Sequence, residues 1–87
     1  MAQLDSDIAE LKHFKEPLIQ VGDEIAQFCI TQIDRVIPDL SNMSYYRKVE
    51  FITCMLGCLD VLIDTGRLQL DSSLTELFNS LSESYHH

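Results

Sequence analysis

Cysteine is the residue here whose chemistry and spacing invite a functional reading. Cys54 and Cys58 stand four positions apart, which places both thiols on one face if the segment is helical. Two thiolates at that spacing could begin a metal site, but zinc takes four ligands, usually from CxxC or His-rich pairs. Cys29 and His13 are what the rest of the chain offers to complete it. A low-pKa thiol could instead sense oxidants. Against both stands the ordinary behaviour of free cysteine as a small, buried hydrophobe. Core packing is the expectation for these thiols, and metal or redox chemistry the alternative.

His13 lies between Lys12 and Phe14, close to Lys15 and Glu16. A catalytic histidine needs a nucleophile and an orienting acid, and no nucleophile elbow or Gly-rich loop accompanies it. We therefore assign no catalytic, metal or cofactor-binding residue and expect a chain that is not an enzyme.

Charge suggests a different kind of chemistry. Fourteen Asp and Glu against six Lys and Arg give a formal −8, which repels phosphate backbones and argues against direct nucleic-acid binding. Asp23, Glu24 and Asp34 share one side of a predicted helix, and Asp5, Asp7, Glu10 and Glu16 precede them. An ordinary solvated face explains such a distribution; an acidic row that engages a basic protein is the sharper reading. Tyr45, Tyr46, Arg47 and Lys48 are the one cluster mixing aromatic rings with positive charge. Tyr and Arg are favoured at protein-binding hot spots. A helix start whose tyrosines are half-buried is the expectation for them, and the binding spot the alternative.

The elements that must position these groups are helical throughout. Phe51–Ile63, FITCMLGCLDVLI, contains one charge, Asp60, and has to lie at the centre of the core. It is too short and too interrupted for a membrane span of about 20 residues, and the beginning MAQLDSDIAELK lacks the basic start and apolar stretch of a signal peptide. With three cysteines and no export signal, a reducing cytoplasm is expected.

Leu4, Ile8, Leu11, Phe14 and Leu18 form one stripe at helical spacing, so a first helix covers something more apolar, with Asp5 or Ser6 as its cap. Pro17 predicts a kink or short break at Lys15–Glu16, one bent helix over residues 5–36 being the alternative. A second helix follows from Pro17 to about Val36. Two adjacent apolar stripes run along it: Leu18, Val21, Ile25, Phe28, Cys29 and Val36, beside Ile19, Ala26, Ile30, Ile33 and Ile37. Ile37-Pro38-Asp39 ends it, and Pro38–Met43 is a turn-rich connector.

Ser44 is the predicted N-cap of a third helix ending at Asp64, with Ser41 as its competitor and Gly66 in the left-handed stop position. Gly57 inside it costs about 1 kcal/mol against alanine, which is explained by close approach of another helix or by simple tolerance. Leu68 and Leu70 plug the bundle end. Asp71-Ser72-Ser73 offers caps for a last helix, Leu74–Ser84, with Ser73-x-x-Glu76 fitting a capping box, and His86 and His87 trail it as native residues or a tag.

The predicted fold is one all-α domain over residues 1–87: a small antiparallel bundle of three main helices plus a short N-terminal one. A chain of 87 residues has little core of its own, about 60–65% of its surface being buried on folding. The apolar faces of the two middle helices are wider than one such layer needs. We therefore expect a homodimer, with Ile19, Ala26, Ile30, Ile33, Phe51, Cys54, Gly57, Cys58 and Val61 in its interface or in the core. The expected function is a protein-interaction module, with Asp23, Glu24, Asp34, Tyr45, Tyr46 and Arg47 as contact candidates. A basic nucleic-acid-binding target is its sharper form. A cysteine-based sensor and a structural subunit of a larger assembly are the alternatives.

Overall fold

The computed structural model describes residues 2–85; His86 and His87 lie outside them, and with them the question of a tag. The chain opens with α1 (Ala2–Glu10), a 3-10 turn over Leu11–Phe14, and α2 (Lys15–Val21). The predicted stripe is thoroughly buried: Leu4, Ile8, Leu11, Phe14 and Leu18 are all at or below 4% exposure. Each such side chain removed from water contributes about 1.5–3 kcal/mol. The expected break at Lys15–Glu16 does not occur. The helix tightens just before it instead, with the Lys15 N–H bonded to the Lys12 carbonyl. Pro17 then falls in the first turn of α2, where a missing N–H is tolerated. Asp5 and Ser6 lie inside α1 and do not cap it.

The second helix is not continuous from Pro17 to Val36. It breaks at Gly22, whose φ of 71° is left-handed, a conformation that glycine adopts without a Cβ penalty. Asp23 is extended (φ −92°, ψ 178°) and caps α3 (Glu24–Val36), its Oδ1 accepting from the Ala26 N–H at 2.9 Å. The dipeptide Gly22-Asp23 is thus a stop followed at once by a start.

α3 passes into a 3-10 turn at Ile37–Asn42, with Pro38 in its first turn, rather than into an irregular connector. Asn42 Nδ2 donates to Asp39 Oδ1 at 2.9 Å. Ser44 then caps α4 (Tyr45–Asp64) as expected, accepting from the Arg47 N–H at 3.3 Å. α4 ends in a left-handed Gly66 (φ 75°), with Gly66 N–H on the Ile63 carbonyl and Arg67 N–H on the Leu62 carbonyl. That pair of bonds is a Schellman closure.

The chain after it carries Leu68 into the core, with Leu70 partly buried against it. Of the three candidate caps Asp71 is the one used: its Oδ1 accepts from the Leu74 N–H at 2.8 Å, so α5 runs Ser72–Tyr85 and Ser73 lies inside it. Leu81 is its buried anchor, and Leu74, Leu77, Phe78 and Tyr85 pack beside it.

Among the described residues the structure is all helical, in four runs: 2–21, 24–42, 45–64 and 72–85. α4 is central, packed by α1, α3 and α5, while α2 packs on α3. The apolar side chains form one core cluster that draws on every run. A Cα radius of gyration of 12.2 Å matches the ~12 Å expected of a compact chain this long. No helix among the described residues is long and apolar enough to cross a membrane.

Candidate functional site

Ile52, Met55, Leu56, Leu59 and Leu62 are the core face of α4, and Ala26, Cys29 and Ile33 that of α3. Each helix has apolar residues left over. On α4 these are Phe51, Cys54, Cys58 and Val61; on α3 they are Ile25, Phe28 and Val36. They meet along an open groove between the two helices. At one end Glu24, Ile25, Phe28, Cys58 and Val61 line a shallow, almost wholly apolar hollow. Phe28 continues into a second hollow with Gln32, Val36, Met43, Arg47, Glu50, Phe51, Cys54 and Met55. Arg35 and Asp39 close the far end, beside Arg47. Because Glu24 shares a hollow with Val61, and Val36 with Arg47, the two helices run antiparallel.

Phe28 and Val61, each 47% exposed, are the large apolar side chains left uncovered along this groove. Several candidates separate accordingly. Ala26 and Ile33 are fully buried in the core, and Ile30 packs against it. Phe51, Cys54, Cys58 and Val61 line the groove. Ile19, 58% exposed on α2, lines none of these hollows. Gly57 has nothing within 4 Å of where a Cβ would stand, so no other helix of the described chain approaches it.

The thiols are not all core residues. Cys29 is buried, Cys58 half-buried and Cys54 exposed. Burial, and secondarily the neighbouring Cys58, push the Cys29 thiol up to about 12. Burial also raises Cys58, with Cys54 adding to it. The sulfurs thus step from the core at Cys29 out to the groove at Cys58 and Cys54. His13 does not join them: its Nε2 stands 3.3 Å from Glu10 Oε2 on its own helical run. Among the described residues, no three His, Cys, Asp or Glu side chains are placed to hold a metal ion.

The acidic row is interrupted by ion pairs. Asp23 pairs with Arg67, and Asp34 with Lys15. Asp7 accepts from the Tyr85 hydroxyl, whose own proton is held more tightly through burial and through that contact. Of the three acidic contact candidates, Glu24 alone borders the groove. The tyrosines are not half-buried: Tyr45 is 65% and Tyr46 77% exposed. Two residues of helix also turn Tyr45 about 160° away from Arg47, so the cluster is dispersed around α4, and only Arg47 reaches the groove.

Phe28 and Ile25 line the groove without having been among the residues the sequence singles out for contact. Their signal was the wide apolar face of the second predicted helix, but the choice of which stripe faces outward depends on how that helix is rotated. The chain matches no protein-family model, no curated protein and no solved structure.

Proposed function

We propose that this chain is a small, acidic, non-enzymatic interaction module of the cytoplasm. It acts as a regulator, adaptor or inhibitor by presenting the α3–α4 groove to another protein surface, a second copy of itself included. The observation that carries this reading is the pairing of half-exposed Phe28 and Val61 across one almost wholly apolar hollow. Adjoining apolar side chains left uncovered in this way mark interaction surfaces. Arg47, Glu50 and Glu24 supply the polar rim such surfaces carry. Three free thiols are in keeping with a reducing compartment.

The test uses Phe28→Glu and Val61→Glu, both at exposed positions. Each is expected to abolish capture of a partner from the native host while leaving the helical circular dichroism unchanged. Equal capture by wild type and both variants would remove the groove from the function. The version in which the target is a basic, nucleic-acid-binding protein draws support from the −8 charge. It requires binding that weakens steeply with salt, and salt-independent binding would retire it.

A thiol-based sensor is the second reading, favoured by one observation: exposed Cys54 stands beside Cys58 in the groove. It requires that alkylating Cys54 alone change partner binding.

A further inference from the structure

We infer that the groove is filled by a second copy of this chain, laid antiparallel across it on a two-fold axis that passes near Cys54. The inference rests on the docking role proposed for the α3–α4 face and goes on to specify its occupant and register.

The first ground is spacing. Along α4 the groove is lined by Arg47, Phe51, Cys54, Cys58 and Val61, at intervals of four, three, four and three, with Glu50 on its rim and the buried Met55 at its floor. That is the seam along which helices pair side by side, and its core-facing neighbours are already covered within the chain. The ends of the seam lie symmetrically about Cys54: seven residues lead back to Arg47 and seven forward to Val61, about 10 Å each way. An antiparallel copy centred there sets Arg47 against the partner's hollow that Val61 and Glu24 form.

The second ground is charge. Of six cations, Lys15, Lys48 and Arg67 are held in ion pairs with acids of their own chain. Two of the other three, Arg35 and Arg47, gather at one end of the groove, and no ion pair engages either among the described residues. Glu24 stands at the opposite end. Antiparallel pairing brings each Glu24 to the other copy's Arg47, twice, by symmetry; parallel pairing would set arginine against arginine. The groove also escapes the repulsion expected between two chains of −8. Its charged lining is Arg35 and Arg47 against Glu24, Asp39 and Glu50, a local −1, so nearly all the excess negative charge lies elsewhere.

The third ground is shape. Gly57 lies on the flank of the seam away from α3 and has open space where a side chain would stand. That leaves room for the partner's α4 to come close. Symmetric homodimers are the commonest oligomers, and an isologous pairing needs a self-complementary patch of this kind.

The experiment combines sedimentation equilibrium with cross-linking of the whole chain. At tens of micromolar, wild type is expected at twice the 10.0 kDa chain mass. Glu24→Arg and Arg47→Glu alone should each weaken dimerisation about tenfold or more, and the double reversal should restore it. A short bismaleimide should join two chains through Cys54, and Cys54→Ser should abolish the product. A 10.0 kDa species at these concentrations overturns the inference. A dimer indifferent to both reversals, or one not joined at Cys54, overturns it equally. These failures are distinct from failure of the docking role: a monomer whose partner capture is lost in Phe28→Glu keeps that role with a different occupant. A monomer whose capture Phe28→Glu leaves intact loses both.

Discussion

Lys48 Nζ lies 2.7 Å from Asp5 Oδ1, joining the first turn of α4 to α1 across 43 positions of sequence. The lysine side chain is only 13% exposed, and Asp5 Oδ1 is buried. The ammonium is an ionic neighbour whose angles fall short of a directed hydrogen bond. Pairs of this kind are weak when solvated and stronger when one partner is shielded. Lys48→Ala should cost about 1 kcal/mol. A double-mutant cycle with Asp5→Ala in urea should return a coupling of about 0.5–1 kcal/mol. A coupling of zero would reduce the contact to a bystander of the packing between α1 and α4.

The stop-start at Gly22-Asp23 makes a paired prediction. An added Cβ at Gly22 meets nothing closer than the Ile19 carbonyl oxygen at 4.0 Å, so the cost of Gly22→Ala is conformational, about 1–2 kcal/mol at positive φ. Asp23→Ala removes the cap on Ala26 and the partner of Arg67, and should cost about 1–2 kcal/mol. Asp23→Asn retains the cap and should recover most of that loss. Thermal melts of the three variants check the order.

Gly57 gives the opposite sign. In a helix interior with open space at the Cβ position, Gly57→Ala should stabilise the chain by up to about 1 kcal/mol. The measurement belongs at low protein concentration, where association does not contribute. Destabilisation under those conditions would mean that the helix needs glycine for a reason internal to the fold.

The thiols should report their burial. Labelling of the native protein at neutral pH is expected in the order Cys54, Cys58, Cys29, the last reacting only on unfolding. Cys29 also makes stability fall in alkali. Its thiol titrates near 9 when unfolded and is pushed up to about 12 when folded, so between those values the unfolded chain has lost a proton that the folded chain keeps. Fewer protons on the unfolded state mean that stability decreases as pH rises. Tyr85, also raised by burial and by Asp7, acts in the same direction above its ordinary range near 10. Urea midpoints should therefore drop from about pH 9 upward, and less steeply in Cys29→Ala.

Local chemistry was legible from residue types alone. The helices over Tyr45–Asp64 and near the end of the chain, the Ser44 cap, the Gly66 stop and the Leu4–Leu18 stripe all follow from near-neighbour physics. Each depends on hydrogen bonds or spacing within a turn or two. Gly22-Asp23 could have been read the same way, since glycine followed by aspartate supplies a left-handed stop and an N-cap in succession. Continuous apolar periodicity on both sides hid it.

Rotation and partnering were decided only by the tertiary structure. Cys29 and Cys54 are the same residue on neighbouring helices, yet one is in the core and the other on the surface. Both helices carry apolar faces wider than the core can take, and composition does not say which edge is left out. That follows from how α1 and α5 seat on α4, and it exposes Phe28 and Val61 while hiding Ala26 and Ile33. The acids behave alike: Asp23, Glu24 and Asp34 are equivalent as letters. The fold brings Arg67 and Lys15 to two of them and leaves Glu24 at the groove. Phe51–Ile63 had to be the centre of the molecule because so apolar a run cannot stay in water; which of its faces remains in water is a property of the packed whole.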